Sequence, residues 1–432
     1  MKTFLLAAGR SRRFWPLTEK NFVPLLGKPL LQHQLERLKE GGCKDITVVN
    51  GNHNVAQLQT LFPGVPFIEQ ENLDLGMQGA LLSALGGLTE PVLVVGGNDV
   101  IEPEAYRALL AAASKKGVDG AILARKVDRY FPGGYLTVSG EKISGIVEKP
   151  GEGKEPSDLV NIVAHIHNDP SSLLRELRGA SPDQDDGYER ALATLFKMKN
   201  YVAVPYEGSW QAVKYPWHLL PLLDLLLKDI TKPQISKKAR IHPSAAIEGP
   251  VVIEDGARIF AHAAITGPCY IGKNATVGSG ALVRGSSVGE GCVVGFGSEV
   301  KGSILMKDVW THMAYVGDSV CGENVSFGGG SVTGNLRLDE GEISSAVGGD
   351  PVPTGLSKFG TIIGDGCRIG IQAGTDPGVK IGGGSFIAGG AYLTEDIPDR
   401  SFVRMKDGKA VVRENRVHVP AAAEREKYRP GK

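Results

Sequence analysis

Residues 6–13 read Leu-Ala-Ala-Gly-Arg-Ser-Arg-Arg, at the end of a short apolar run. A turn of small residues after a strand exposes backbone N–H groups, a ready cradle for phosphate. Arg13 and Lys20 bring a guanidinium and an ammonium from the same stretch. Two such cations suit a polyphosphate whose charge moves during reaction. A glycine-bearing basic loop can equally be plain surface, so this one needs partners elsewhere in the chain.

The elements that would position such a loop alternate in type. Strands are expected at 2–8, 45–49 and 91–96, and helices at 29–41, 53–62, 76–87 and 102–115. Strands separated by amphipathic helices make βαβ units and a mostly parallel sheet, with ligands beyond the carboxyl ends of the strands. Residues 121–211 are more mixed, with a short strand at 143–147. The leucine-rich stretch 216–230 reads as a closing helix, and Lys232-Pro233 as a boundary.

After residue 240 the period changes. Ile241, Ile247, Ile253, Ile259, Ile265, Ile271, Val277 and Val283 recur at steps of six, then Val288, Val294 and Val300 follow. The phase returns as Ile363, Ile369, Thr375, Ile381, Ile387 and Leu393. Period six fits neither a helix nor an alternating strand; it is the hexapeptide signature of a parallel β-helix. Of 58 glycines, 35 lie in residues 234–432, where tight corners need them. Residues 336–357 break the phase and should leave the prism as a loop. The expected division is 1–232, an α/β Rossmann-like domain; 233–410, a left-handed parallel β-helix; and 411–432, a C-terminal tail, solvated from Ala421 on.

Composition limits the function. The 432 residues carry 48 Lys+Arg against 48 Asp+Glu, which argues against a nucleic-acid binder held by a bulk basic field. Five widely spaced cysteines (Cys43, Cys269, Cys292, Cys321, Cys367) give neither a C-x-x-C nor an even set, so a disulfide framework or zinc site is not expected. No apolar run has the ~18 residues of a membrane span. The expectation is a soluble, reduced, cytoplasmic protein without membrane or nucleic-acid partners. His165-x-His167 would put two imidazoles on one strand face, a structural pair in the absence of nearby ligands.

Taken together, L-A-A-G-x-x-x-R, Pro16-Leu17-Thr18, Lys20, Gly27-Lys28-Pro29 and a strand ending in Asp99 resemble the sugar-1-phosphate nucleotidylyltransferases. Gln70 with Gly76 looks like the base-reading segment, Gly134 with Tyr135 and Leu136 like the sugar-facing turn, Glu148-Lys149-Pro150 like the E-K-P motif, and Asn161 like the sugar-binding asparagine. With a hexapeptide half behind it, the chain resembles the archaeal-type bifunctional UDP-N-acetylglucosamine diphosphorylases/glucosamine-1-phosphate N-acetyltransferases over nearly all of residues 1–410.

That resemblance implies uridylyl transfer from UTP to N-acetylglucosamine-1-phosphate, with Gly9 in the phosphate turn. Arg13 would hold the β- and γ-phosphates, Lys20 would stabilise charge at the α-phosphate, and Asp99 would hold Mg²⁺. Gln70 suits a pyrimidine edge and does not separate UTP from dTTP. Three positions depart from the pattern. Ala212 stands where W-x-D has its second metal carboxylate, Ser11 replaces a glycine, and Glu19 replaces a proline. Lys214 could supply a fixed cation instead.

Thr311 to Ser319 resembles the H-x-x-Y-x-G-D segment of the acetyltransferase half. The resemblance implies that His312 is the base for the ammonium proton of an amino-sugar 1-phosphate, with acetyl-CoA as donor. Arg284, Lys301 and Lys358 would hold the sugar phosphate, while Tyr315, Asn324 and Asn335 would hold sugar and phosphate oxygens. Relatives of this prism assemble as homotrimers. Two other readings remain at this stage. One is a glucose-1-phosphate thymidylyl- or uridylyltransferase with the β-helix as scaffold. The other is a non-catalytic nucleotide-sugar-binding protein.

Overall fold

A computed structural model of the chain describes residues 1–180 and 186–429. Its contacts divide it into two compact units, Met1–Arg10 with Leu31–Ala212, and Ser11–Leu30 with Val213–Lys432. The division differs from the expected boundary at Lys232-Pro233 in two ways. The leucine helix, found at Leu219–Leu227, groups with the second unit, and so does the loop carrying Arg13 and Lys20.

The first unit is a nine-stranded sheet with helices. Strands Phe67–Glu69, Asp45–Asn50, Lys2–Leu6 and Val92–Gly96 run parallel in that order. Helices Leu30–Glu40, Val55–Leu61, Gly76–Ala84 and Pro103–Ala113 fall where the 3.6-residue periodicity put them. Beyond Val92–Gly96 the sheet becomes mixed. Leu159–His167 joins it antiparallel and lies between Val92–Gly96 and Gly120–Lys126. The hairpin Gly134–Ser139/Lys142–Glu148 closes that edge. Its core gathers Phe4, Val94, Ile122, Leu192 and Phe196.

The second unit is the prism. Three stacks of short parallel strands make its faces. Face one runs from Gln234–Ile235 to Lys380–Ile381, face two from Arg240–Ile241 to Ser401–Lys406, and face three from Ala246–Glu248 to Tyr392–Leu393. The branched residues at steps of six fill the axis: Ile253, Ile271, Val283, Val300, Ile363 and Ile387 are all buried there. The coil also continues through Leu305, Val316, Cys321 and Phe327, where the step shortens and the residue type changes. Within 336–357 the expected loop contains a β-hairpin, Ile343–Val347 paired with Asp350–Leu356.

The tail carries structure of its own. Ser401–Lys406 and Lys409–Glu414 form a hairpin on the end of face two, and Ala422–Arg425 is helical. Arg425 is buried, and its guanidinium lies 4.4 Å from the centre of the Trp310 ring. Within 411–429 Arg425 is thus an anchor, while much of the segment stays exposed, Val417 and Tyr428 among it; residues 430–432 lie outside the described set.

Candidate active sites

Strand Lys2–Leu6 delivers the chain into the Ala7–Arg10 turn at the carboxyl ends of the parallel strands. Ala7 donates to the Val49 carbonyl at 2.7 Å, and Asn54 Nδ2 donates to the Ala7 carbonyl at 3.0 Å. A Cβ built on Gly9 would meet nothing within 4 Å, so the main chain there is open to approach.

The loop that follows is organised by two of the three residues that depart from the family pattern. Ser11 Oγ donates to Glu19 Oε1 at 3.0 Å. The same carboxylate oxygen accepts from the Asn21 N–H (3.2 Å) and from Asn21 Nδ2 (3.0 Å). Glu19 thereby caps the 3₁₀ turn Lys20–Phe22. Serine for glycine and glutamate for proline are complementary replacements, a polar brace where the pattern has conformational ones. Lys20 is buried, and the Arg13 guanidinium lies 5.3 Å from the Tyr215 ring centre.

Gln70 is buried, and both of its amide hydrogens are committed, to the carbonyls of Asn72 (2.7 Å) and Gly76 (2.9 Å). Two carbonyl acceptors fix which end of the amide is nitrogen, so only its oxygen remains for a base. Gly76 has φ +51°, a conformation suited to glycine. Gly79, which sequence reasoning missed, is needed for space: its Cβ would lie 2.4 Å from the Asn72 carbonyl oxygen and 2.6 Å from Gln70 Nε2.

Asp99 is 8% exposed. Trp210 Nε1 donates to its Oδ1 at 2.8 Å, and Gln34 Nε2 donates to its backbone carbonyl at 3.0 Å. Strand Asp99–Ile101 pairs antiparallel with Trp210–Ala212, and Ala212 stands directly opposite Asp99. Register thus places the missing second carboxylate across from the first. Among the described residues no cluster of three acidic, histidine or cysteine side chains could hold a metal.

Gly134, Glu148 and Asn161 come together. A Cβ on Gly134 would lie 2.8 Å from Asn161 Oδ1 and 3.1 Å from Glu148 Oε2, so glycine lets the two side chains converge over bare backbone. Lys149 pairs with Glu148 at 3.1 Å. Phe131 packs on Trp210 with ring centres 5.0 Å apart, and Arg125 lies 6.0 Å from the same indole. Trp210 therefore joins Asp99 to an aromatic wall, a role with no signal in the sequence beyond the W-x-D spacing.

In the prism, His312 follows strand Trp310–Thr311 at the corner between faces two and three, and Tyr315–Gly317 is the next strand. Arg284, Lys301 and Gly317 are stacked in register at the far ends of face-three strands. Lys301 Nζ contacts both Asp318 oxygens, at 2.6 and 2.7 Å. Asn335 Nδ2 donates to Asp318 and to the Tyr315 hydroxyl (3.1 Å). Lys358 is brought beside Asn335 by the bridge to Leu336 and by the Phe359 N–H donating to the Asn335 carbonyl. Arg284 is held by Glu299, at 2.9 and 2.5 Å. Asp318, the last residue of the H-x-x-Y-x-G-D segment, had no role assigned from the sequence, yet it ties Lys301 to Asn335. Burial and the nearby Asp318 also push the Asp224 carboxyl upward.

Asn324 does not join this group. Its amide is taken up at another corner, donating to the Pro420 carbonyl and accepting from Arg425 (2.6 Å) and Arg368 (3.2 Å). In this chain it lies apart from Lys301, Tyr315 and Asn335 and anchors the C-terminal segment.

Beside His312, face two carries a cavity of about 620 Å³, lined by Phe296, Trp310, Phe327, Arg368, Arg425 and Tyr428 among others. Both arginines hydrogen-bond to carbonyl oxygens and to Asn324. Burial and the neighbouring Arg368 push the Arg425 guanidinium down to about 10. Trp310 Nε1 is buried and has no acceptor among the described residues.

The five cysteines are free and buried, and burial pushes the Cys292 and Cys367 thiols up to about 12, so none serves as a nucleophile. His165 and His167 are structural, hydrogen-bonded to Tyr188 and Tyr201.

Residues 3–241 match the MobA-like NTP transferase domain. Residues 250–285 match the bacterial transferase hexapeptide of six repeats, and 360–395 the hexapeptide repeat of succinyl-transferase. A bifunctional protein GlmU of Methanococcus vannielii is 33% identical, covering 96% of this chain and 100% of its own. GlmU of Methanocaldococcus jannaschii is 32% identical over 94% of this chain and 98% of its own. A bifunctional sugar-1-phosphate nucleotidylyltransferase/acetyltransferase of Sulfurisphaera tokodaii is 32% identical over 94% and 100%. With two domains matched in the same order and end-to-end likeness to these relatives, the chain belongs to the family of bifunctional GlmU proteins.

Proposed function

We propose that the protein makes UDP-N-acetylglucosamine from glucosamine-1-phosphate in two steps. In the prism, the sugar amine attacks the thioester carbonyl of acetyl-CoA. His312 takes the proton from nitrogen, and the thiolate of CoA leaves. Lys301 and Lys358 hold the sugar phosphate, with Arg284 one strand along. Tyr315 and Asn335 hold oxygens, and Asp318 fixes Lys301 and Asn335. The cavity on face two takes the acyl donor. Its aromatic wall suits an apolar arm, and Arg368 and Arg425 suit phosphate. The carrying observation is that His312 borders this cavity while Lys301, Tyr315 and Asn335 converge one strand on.

In the second step a phosphate oxygen of N-acetylglucosamine-1-phosphate attacks the α-phosphorus of UTP, and pyrophosphate leaves. Arg13 and Lys20 bind the triphosphate. The Gln70 oxygen accepts from the imide N–H of uracil, which cytosine lacks; thymine fits this acceptor as well. Gly134, Glu148 and Asn161 hold the sugar. When bound, Mg²⁺ draws charge from phosphate oxygens. The residues present fit an ion held by one protein carboxylate: Asp99, whose Oδ1 accepts from the Trp210 indole, would hold it, and water and triphosphate oxygens would supply the other ligands. The Asp99–Trp210 contact also keeps the aromatic wall aligned with the metal ligand.

The working form is a homotrimer. Phe296, Met313 and Ile371 are 58%, 53% and 63% exposed along one prism corner, the first two on adjacent turns and Ile371 beyond the turn that carries Gly329 and Gly330, an apolar edge that a second copy would cover. Among the described residues no helix is long and apolar enough to cross a membrane. Buried free thiols and these substrates suit the cytoplasm.

The test follows CoA release and pyrophosphate release separately, with glucosamine-1-phosphate, acetyl-CoA and each NTP. His312→Ala should remove the first and spare the second, and Lys20→Ala should do the reverse. Loss of both from either change in a folded protein would refute the two-site reading.

A further inference from the structure

The loop bearing Arg13 and Lys20 belongs to the same compact unit as the prism, and it is fastened there at two places. Near its start, Trp15 Nε1 donates to both carboxylate oxygens of Asp399, at 3.1 and 3.2 Å. The Lys380 ammonium lies 5.0 Å from the Trp15 ring centre. That lysine is itself buried, paired with Asp396 at 3.2 Å. The Pro16 carbonyl oxygen lies so near Gly364 that a Cβ there would sit 3.1 Å from it. Near the loop's end, the Leu26 N–H donates to Ser287 Oγ at 3.1 Å. Gly27, at φ +76°, packs against the Tyr270 ring, where a Cβ would collide with the hydroxyl.

Tyr270, Ser287 and Lys380 all belong to strands of face one, and Gly364 directly follows another. Five strand steps separate the Tyr270 strand from the Lys380 strand, about 24 Å at the usual interstrand spacing. The stretch 17–25 is therefore strung between two anchors on one face, with Lys20 in its middle. Arg13 lies just outside the first anchor, over Tyr215, which stacks on Trp217 at 4.5 Å; Trp217 in turn packs on Phe359.

We infer that the prism positions the triphosphate grip, and that Asp399 and Lys380, acting through Trp15, are positioning residues for uridylyl transfer although they lie in the hexapeptide half. This rests on the roles proposed above for Arg13 and Lys20. Two long cationic side chains bind a triphosphate well only if their backbone is fixed before the ligand arrives. Loosening the first anchor leaves both cations present but unfixed. The loss then falls on UTP affinity and leaves the acetyl site, on other faces, as it was.

The experiment uses the full-length protein, four single variants and one double variant. Trp15→Phe keeps the ring and removes the N–H. Asp399→Asn keeps an acceptor; Asp399→Ala removes it and also the bond from the Gly383 N–H (2.8 Å). Lys20→Ala reports on the proposed function itself. Trp15→Phe and Asp399→Ala should each raise the KM for UTP about fivefold, the worth of a partly exposed hydrogen bond to a charged group. Combined, they should raise it little further, because both break one contact. Asp399→Asn should recover most of the wild-type value. The KM for N-acetylglucosamine-1-phosphate and all parameters of acetyl transfer should stay unchanged. If Asp399→Ala fails to fold, Trp15→Phe alone carries the test. An unchanged UTP KM in Trp15→Phe overturns the inference. So does an equal fall in kcat for both activities at constant KM, which reports lost folded protein. If instead wild type releases no pyrophosphate from UTP, or Lys20→Ala is unaffected, the proposed function has failed.

Discussion

Ala212→Asp tests how the nucleotidylyl half holds its metal. Ala212 and Asp99 are directly opposed across an antiparallel pair and are 6% and 8% exposed. Opposed side chains stand roughly 5 Å apart at Cβ. Two carboxylates at that spacing repel by about 3 kcal/mol at an effective dielectric constant of about 20. In EDTA the variant should melt roughly 6–12 °C below wild type in its first unfolding step, at about 2–4 °C per kcal/mol. Repulsion raises the folded-state carboxyl pKa, so this deficit should shrink as pH falls and one acid takes up a proton. A divalent ion shared by both carboxylates cancels the repulsion. Millimolar Mg²⁺ without nucleotide should then restore the variant's melting temperature, while wild type, with one carboxylate, should melt alike in EDTA and Mg²⁺. In turnover, the variant should reach half-maximal pyrophosphate release at lower Mg²⁺. The readout is scanning calorimetry in EDTA and in Mg²⁺, followed by a Mg²⁺ titration of activity. A variant whose melting is indifferent to Mg²⁺ would show that Asp99 faces no metal position, and the ion's assignment would fall.

Gly134→Ala should raise the KM for N-acetylglucosamine-1-phosphate about tenfold, because the new methyl must displace Asn161 or Glu148, an overpacking of the kind that costs ~1–3 kcal/mol; an unchanged KM would remove these two from the sugar site. Truncation after Val419 strips Pro420, Arg425 and Tyr428 from the face-two cavity and should raise the acetyl-CoA KM about tenfold with pyrophosphate release intact; equal acetyl-CoA kinetics would separate that cavity from the donor. His165 and His167 are fully buried and held neutral, their pKa values pushed down to about 3 by desolvation. The unfolded chain binds those protons first, so the stability is present above pH 6.5 and is lost as pH falls from there toward 3, about 2 kcal/mol for each by pH 5. Urea midpoints at pH 7.5 and 5 should show this drop, and a His165→Gln/His167→Gln protein that keeps the same drop would refute the attribution. Charge placed on the apolar corner, as in Phe296→Asp, should turn a species of about three times 45.8 kDa into monomer by light scattering; an unchanged mass would move the interface elsewhere.

The sequence shows most clearly what repeats. Ile253, Ile271 and Val283 announced the prism because an axis that narrow takes one branched residue per side, and three of the four parallel strands announced themselves through apolar runs between amphipathic helices; Phe67–Glu69, a short and largely exposed edge strand, did not. The coil through Cys321 and Phe327 was less visible, since steps of five and six mix and the filler changes. Contacts across long chain distances left no trace at all. Trp15 meets Asp399, 384 residues away, and Asn324 meets Pro420, so neither the anchoring of the loop nor the packing of the tail has a periodic signature. The motif residues around Gly134, Glu148 and Asn161 were found by type and do converge. Asn324 matched by type alone, and its amide serves the C-terminal segment. Asp318 and Trp210 do their work by joining other residues, which only geometry reveals.

All five thiols are shut away, Cys43 in the sheet unit and Cys269, Cys292, Cys321 and Cys367 along the prism axis. An alkylating reagent can reach none of them until the surrounding structure opens. The chain thus carries one chemical tag for the opening of its first unit and four, spaced at successive heights, for the prism. Timed labelling followed by peptide mapping would read which unit gives way first, and whether the coil unzips from its Cys269 end or its Cys367 end.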